Sequence, residues 1–391
     1  AIHNFQSVID IDPNHVEGHV RLGWNYAKLQ HSEEALAEFQ AALEIDPDRE
    51  QTYYRLGVTY GELERFSEGL ESLQKALRLN PNHLDTLFQL GRFNSILENY
   101  QKSTNHLNKL LKLAPNYSEV GLLLGKNLAE LNQFENALPH LEKAIQQQPD
   151  SFESQFYLGL TLIRLNRPAD AIAPLEKAVK IEPDSSLTFN HLGQTYQMLK
   201  MFPEANFSYK QATRIEPNFT DAYNKLGTLY TFQKDYKMAI KMFQGAIQSN
   251  PKLQSGYFNL GMIYEILGRH PEAIEQYKNI LAINPDHQKA LFNLGWVMMD
   301  ENRFMEAIPP LKHAINLNPE NTDAHYSLGL VFGRLNRYQD AQDQYHKVLR
   351  LDPNHSGAYE RLALTEKAME SATVSVQKDA FPKELDIILV P

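Results

Sequence analysis

Fourteen histidines carry the broadest chemical reach in this 391-residue chain. Imidazole can ligate a metal or carry a proton near neutral pH. Their spacing argues against both uses. His15, His83, His287 and His355 each follow an Asp/Asn-Pro-Asn/Asp triplet and lie at multiples of 34 residues. Copies so placed stand about a repeat or more apart in space and cannot converge on one ion. They read as solvated loop residues. His15 and His19 are four apart, but a helix start falls between them. Cysteine is absent, which removes disulfides, thiolate catalysis and zinc–thiolate sites. Its absence leans the reading towards an extracytoplasmic or oxidising compartment. No P-loop, His-Glu-x-x-His, dinucleotide glycine pattern or nucleophile elbow occurs. The chain is therefore expected to be no enzyme and to use no cofactor or metal.

Charge and composition narrow the partners. The formal net charge is −10 and the pI about 5.8, which argues against nucleic acid or an anionic membrane as the main partner. No apolar run approaches the roughly 18 residues needed to span a bilayer, and no signal or transit segment is visible. Hydrophobic residues at 42% and charged ones at 22% mark a folded chain. Glu17, Asp85, Glu119, Glu153, Asp221 and Asp323 recur near the starts of expected helices. Compensation of the helix dipole explains them better than a functional acidic stripe does.

The elements that must carry any site follow one rule. Leucine falls at 22, 56, 90, 124, 158, 192, 226, 260, 294, 328 and 362, and glycine follows each of the first ten. Proline recurs at the same 34-residue interval from Pro13 to Pro353. Such a period predicts a stacked array, not a globular domain. Within 16–49, Leu22, Gly23 and Tyr26 share one helical face, and Ala35, Phe39, Ala42 and Leu43 share another after a polar break. Asp46 before Pro47 ends the second helix, and Asp48 offers an oxygen near the start of the next one. The Ala35 position stays small throughout, and glycine mid-helix costs about 1 kcal/mol. Its recurrence therefore reads as a demand for close helix approach. The large apolar position of Phe39, Leu73 and Leu107 is expected to fill the space between repeats. Pro139, Pro174, Pro309 and Pro310 sit inside second helices and predict a local bend.

The expected organisation is the second helix of a truncated repeat at 1–15 and ten tandem repeats over 16–355. The repeats fall at 16–49, 50–83, 84–117, 118–151, 152–185, 186–219, 220–253, 254–287, 288–321 and 322–355. A capping helix at 356–371 and a non-repeat tail at 372–391 follow. The truncated first repeat implies a longer native protein or an end packed on something else. In the tail, Ile387, Ile388, Leu389 and Val390 form an apolar, β-prone stretch. It is expected to add a strand to a partner or to lie in a neighbouring groove, giving self-association through the ends or tail.

The pattern resembles the tetratricopeptide repeat family. One clean copy reads Tyr223, Leu226-Gly227, Tyr230, Ala239, Phe243, Ala246 and Pro251; another reads Tyr257, Leu260-Gly261, Tyr264, Ala273, Tyr277 and Pro285, with Ile280 replacing the second alanine. The resemblance covers roughly residues 1 to 371. It implies an all-α, right-handed superhelix of helix–turn–helix repeats whose first helices line a concave, protein-binding groove. On that basis Tyr54, Phe88, Phe156, Asn190, Asn224, Phe258, Phe292 and Tyr326 face the groove, as do Trp24 and Trp296. The groove is then aromatic at both ends and polar near Asn190 and Asn224. Arg21, Arg55, Arg92 and Lys126 make a positive strip in its first half, suited to an acidic peptide or a chain-terminal carboxylate. The chaperone-binding members' carboxylate clamp is missing, because Val20, Tyr54 and Phe88 replace its lysines and Trp24, Val58 and Arg92 its asparagines. Of the asparagines before Leu-Gly in the O-linked N-acetylglucosamine transferase superhelix, only Asn259 and Asn293 are matched. The resemblance implies a non-catalytic scaffold that binds partner proteins or peptides and helps assemble a complex. Two other roles stay open: the substrate-recruiting arm of a larger enzyme, and a structural subunit that tiles enzyme complexes or filaments.

Overall fold

A computed structural model describes residues 2–117 and 119–379. Among the described residues there are 22 helices and no strand. The first of them is α1 (Ile2–Ile11). Helix pairs follow as α2 (Val16–Lys28) with α3 (Ser32–Ile45), α4 (Glu50–Glu62) with α5 (Phe66–Leu79), α6 (Leu84–Ile96) with α7 (Tyr100–Leu113), α8 (Val120–Glu130) with α9 (Phe134–Gln147), and α10 (Phe152–Arg164) with α11 (Pro168–Ile181). The next pairs are α12 (Ser186–Met198) with α13 (Phe202–Ile215), α14 (Thr220–Phe232) with α15 (Tyr236–Ser249), α16 (Gln254–Ile266) with α17 (His270–Ile283), α18 (Gln288–Asp300) with α19 (Phe304–Leu317), and α20 (Thr322–Arg334) with α21 (Tyr338–Leu351). Helix α22 (Ser356–Asp379) is the last. The chain divides into two compact units, 1–208 and 209–391. Within each, helices adjacent in sequence pack on one another, from α1 to α12 in the first and from α14 to α22 in the second.

Each hairpin closes on its glycine. A Cβ added to Gly57, Gly91, Gly125 or Gly159 would come within 2.5–2.6 Å of the Cγ or Cδ2 of Leu73, Leu107, Leu141 or Leu175. At Gly227, Gly261 and Gly329 the same space is taken by the rings of Phe243, Tyr277 and Tyr345. The sequence pattern assigns these large residues to the gaps between repeats. In the structure they do so, Phe39 with Leu56 and Tyr60, Leu73 with Leu90 and Phe93, and Leu107 with Leu124, and each large residue is also buried against the glycine of its own repeat. Burying such a side chain contributes about 1.5–3 kcal/mol, which more than offsets glycine's helical cost.

The turns are built from repeated hydrogen bonds. Inside each repeat, the residue after the first helix's C-cap is left-handed: Gln30, Glu64, Glu98, Asn132, Asn166, Lys200, Lys234, Asn302 and Asn336 have φ near +60°, and Gly268 has +65°. The reversed backbone satisfies carbonyls at the helix end, as His31 N–H to Tyr26 O does at 3.0 Å. Between repeats, the oxygen that organises the turn belongs to the residue before proline. Asp46 Oδ1 accepts from the Asp48 N–H, and Asp12, Asn80, Asn250, Asn284, Asn318 and Asp352 accept in the same way. Asp48 is the expected cap of the next helix, but the cap position is one residue later, at Arg49.

That cap position explains the repeated histidines. Nδ1 of His15, His83, His287 and His355 accepts the backbone N–H of Gly18, Thr86, Ala290 and Ala358. They are helix N-caps, and Ser151, Ser185 and Asn321 do the same work in other repeats. The proline carbonyl is capped as well, from the following helix: by His19 for Pro13, Gln155 for Pro149, Tyr257 for Pro251 and His325 for Pro319.

The proline-bearing helices α9, α11 and α19 keep the same 14-residue length as the other second helices. Helix α22 is longer than the expected 356–371 and runs on to Asp379. Nothing from Ser371 to Asp379 is a helix breaker, and the next proline is Pro382. Residues 387 to 390 lie outside the described residues.

Glycine's role yields a paired test by thermal unfolding. Gly125→Ala would force Leu141 aside and should destabilise by about 1–3 kcal/mol. At Gly333 the nearest neighbour of an added Cβ is the Tyr345 hydroxyl at 3.8 Å, so Gly333→Ala should stay neutral or stabilise by up to about 1 kcal/mol.

Candidate functional site

Successive first helices touch one another along both units: α2 on α4, α4 on α6, α6 on α8, α8 on α10 and α10 on α12, then α14 on α16, α18 on α20 and α20 on α22. Within each unit they present a shared face, and the expected binding residues divide sharply on it.

The aromatics two positions before Leu-Gly are largely consumed by packing. Phe88 and Phe156 are buried, and so is Asn190. Tyr54, Phe88, Phe258 and Tyr326 each lie against the residue two places after the next proline, His83, Tyr117, His287 and His355, with ring centroids 4.7–6.1 Å apart. Phe156 sits among Phe152, Tyr157 and His191. These rings join neighbouring repeats, and the half-buried ones offer only an edge to a partner. Asn224 accepts from Asn259 at 3.3 Å, and Asn293 donates to the Tyr277 hydroxyl at 3.2 Å. Those asparagines therefore bond within the array.

The position one residue after Leu-Gly stays open. Trp24 is 39% exposed, Met262 44% and Trp296 42%. Phe292 leans against Trp296. One helical turn further on lies a row that sequence reasoning missed as an apolar surface. It holds Ile96 and Met198 in the first unit, and Phe232 at 68% and Ile266 at 56% exposure in the second. The signal was present: other repeats carry Lys28, Glu62, Glu130, Arg164, Asp300 and Arg334 there. A large apolar residue at a position otherwise charged is an exposed one.

Three of the expected cations, Arg55, Arg92 and Lys126, are held by aromatic rings. The Arg55 guanidinium lies 4.5 Å from the Trp24 ring centroid, and Lys28 lies 5.2 Å from it on the same ring. Burial, reinforced by the charge of Arg21, pulls the Arg55 pKa down. Arg92 lies over Phe93 and Lys126 over Tyr157, both at 5.4 Å. Among the described residues no carboxylate pairs with Arg55, Arg92 or Lys126. Arg21 differs: it bonds Glu17 at 2.6 Å, and Glu17 also holds Arg49 at 3.0 Å. The Arg21 hydrogen bond keeps the Glu17 carboxyl below the usual range. The positive strip is therefore Lys28, Arg55, Arg92 and Lys126, with Arg21 largely neutralised.

The floor of the second unit's face is polar. The Tyr277 hydroxyl donates to Glu265 while accepting from Asn293. Burial raises the Glu265 pKa despite that hydrogen bond. His15 and His19 do not meet: His15 caps α2, while His19 bridges Glu38 at 2.7 Å and the Pro13 carbonyl at 3.0 Å. Among the described residues no three His, Asp or Glu side chains are grouped to hold a metal. No helix among them is long and apolar enough to cross a membrane.

Tetratricopeptide repeat models match residues 50–83, 84–117, 122–186, 220–253, 255–287 and 322–355, and a TPR repeat model matches 25–64. Together they span well over half of the chain. No curated protein matches it. Among solved structures, the C-terminal part of a TPR repeat-containing protein from Cytophaga hutchinsonii is similar at 14% identity and a TM-score of 0.56, covering 62% of this chain and 99% of that one. That likeness shows the fold. YrrB, described as a TPR protein with an unusual peptide-binding site, is 19% identical with a TM-score of 0.44, over 48% of this chain and 96% of its own. MamA from Desulfovibrio magneticus is 24% identical with a TM-score of 0.41, over 44% and 96%.

The raised Glu265 pKa has a pH consequence. Ionised Glu265 costs the fold stability above its folded-state pKa, and that cost vanishes as pH falls through the carboxylate range. Glu265→Gln should therefore raise the melting temperature at pH 7, with the gain shrinking to nothing near pH 4. Thermal melts of both proteins across that range check it.

Proposed function

The chain belongs to the tetratricopeptide repeat family, and we propose that it is a protein-binding scaffold that captures partner segments on its first-helix faces and helps assemble a complex. The observation that carries this reading is the set of exposed first-helix side chains, Trp24 on the first unit and Met262, Trp296, Phe232 and Ile266 on the second. Large apolar groups left in water in this way are what a partner covers. The helices that hold them are rigid, so binding costs little ordering on this side.

The first unit is suited to an acidic segment. Arg55, Arg92 and Lys126 rest on aromatic rings with no acid beside them, so an incoming carboxylate displaces no internal ion pair. In the first unit Phe88, Phe156 and Asn190 serve as buried supports and Tyr54 lends an accessible edge. On the second unit's own face Asn224, Phe258, Phe292 and Tyr326 offer theirs. Tail docking through residues 387 to 390 is a separate proposal, tested by deleting them and measuring mass in solution.

The chain has two tryptophans, so Trp296→Phe leaves Trp24 as the only indole. Titrating that variant with a short Asp/Glu-rich peptide should change Trp24 emission, and the effect should weaken with salt. Arg55→Glu and Arg92→Glu should each weaken binding about tenfold. Unchanged emission, or binding indifferent to both reversals, contradicts the reading.

A further inference from the structure

Two cavities in the chain are built from the same repeat positions. One lies against α3, α4 and α5 in the first unit, about 340 Å³ in volume, and is lined by Gln40, Leu43, Glu44, Tyr53, Leu56, Tyr60, Glu68, Glu71, Ser72 and Lys75. The other lies against α11, α12 and the first turns of α13, about 550 Å³ in volume, with Glu176, Phe189, Tyr196, Glu204 and Phe207 among its lining residues. Every lining position of the first except that of Lys75 recurs in the second, four repeats on. Each is lined by two second helices and the first helix between them, and neither includes the exposed first-helix side chains.

The two differ where it matters for binding. In the smaller cavity Glu71 pairs with Lys75 at 3.1 Å and closes the rim with charge. In the larger one the Glu71 position is Phe207, a phenylalanine left 60% exposed. The corresponding residues of the other complete repeats are Ala37, Asn105, Pro139, Ala173, Lys241, Glu275, Pro309 and Asp343. Phe207 is thus the only aromatic among them, at a position otherwise polar, small or proline. Val179, Phe189 and Leu192 supply an apolar floor beneath it. Its volume falls in the range of sites that bury a ligand group.

The rim is acidic. Glu176 accepts from the Tyr196 hydroxyl at 2.7 Å. Burial, the Glu176 hydrogen bond and the charges of Glu176 and Glu204 together push that hydroxyl well above its ordinary range. The Glu204 carboxylate forms no ion pair among the described residues, and Lys180 is the one cation in the lining. Two carboxylates against one ammonium leave a negative ring around an apolar floor.

We propose that this cavity is a second docking site, distinct from the first-helix face, and that its occupant is a basic amphipathic segment of a partner protein. A large apolar side chain of that segment seats beside Phe207, and a lysine or arginine within one helical turn of it meets Glu204 and Glu176. Charge complementarity selects this occupant: an acidic segment would meet the same carboxylates as repulsion.

The test uses the full chain and two fluorescent helical peptides, one of leucine, alanine and lysine and the other with glutamate in place of every lysine. The first-helix face takes acidic peptides, so the two are compared on the Arg55→Glu, Arg92→Glu protein, where anisotropy should show binding of the lysine peptide only. Phe207→Ala should weaken it about tenfold, and Glu204→Gln should weaken it measurably. Glu71→Ala, in the smaller cavity, should leave it unchanged. The Arg55→Glu, Arg92→Glu protein should also bind the lysine peptide normally, which separates this site from the first-helix face. Phe207 is exposed, so its variant should melt at the parent temperature. Equal affinity of the Arg55→Glu, Arg92→Glu protein for both peptides, or lysine-peptide binding that ignores Phe207→Ala, overturns the proposal, because it reduces the interaction to diffuse attraction by an acidic surface.

Discussion

A large side chain resting where glycine has no Cβ is the contact on which each hairpin depends. Gly57 under Leu73 and Gly261 under Tyr277 are two instances of one geometry. The backbones approach closely only because that Cβ is absent, and the ring or isobutyl group that fills the space is buried at once. Within each unit, successive first helices then touch one another.

Stacking adds a second layer of constraint, and it is mostly polar. The residue before proline folds its side chain into many of the turns, a histidine, serine or asparagine caps several first helices, and the carbonyls of Pro13, Pro149, Pro251 and Pro319 are taken by a side chain six residues on. A buried chain of hydrogen bonds joins Ser95 to Asn127 at 2.6 Å and Asn127 to Ser103 at 2.7 Å, linking α6, α7 and α8. Such directional contacts fix the register of one repeat on the next, which apolar packing alone leaves looser. They also explain why the groove's apparent aromatics are unequal. Tyr54 and Tyr326 are held by the cap histidines of the following repeat, whereas Trp24 and Trp296 have no such neighbour and remain in water.

The fold was legible because its period is strict: Leu-Gly, the small second-helix residue and proline recur without slippage. The site was legible only in part. Spacing places Phe88 and Trp24 on first helices, but it cannot say which ring the next loop will cover. That depends on a residue 29 positions away, such as Tyr117 for Phe88. Phe232 and Ile266 escaped notice because their row is charged in most repeats, so it offered no apolar pattern to find. The cap histidines were legible as a pattern, but their use was not. Imidazole as a helix-capping acceptor becomes visible only with the backbone in place.

The central claim is that the exposed first-helix side chains are the working surface. Oxidative footprinting of the chain alone and with its bound partner addresses it directly, because tryptophan and methionine report their own access to solvent. Met305 lies on a second helix and is 65% exposed, which makes it the internal reference. The account expects Trp24, Met262 and Trp296 to lose reactivity in the complex while Met305 keeps it. Protection of Met305 with Trp24 and Trp296 still reactive would contradict it.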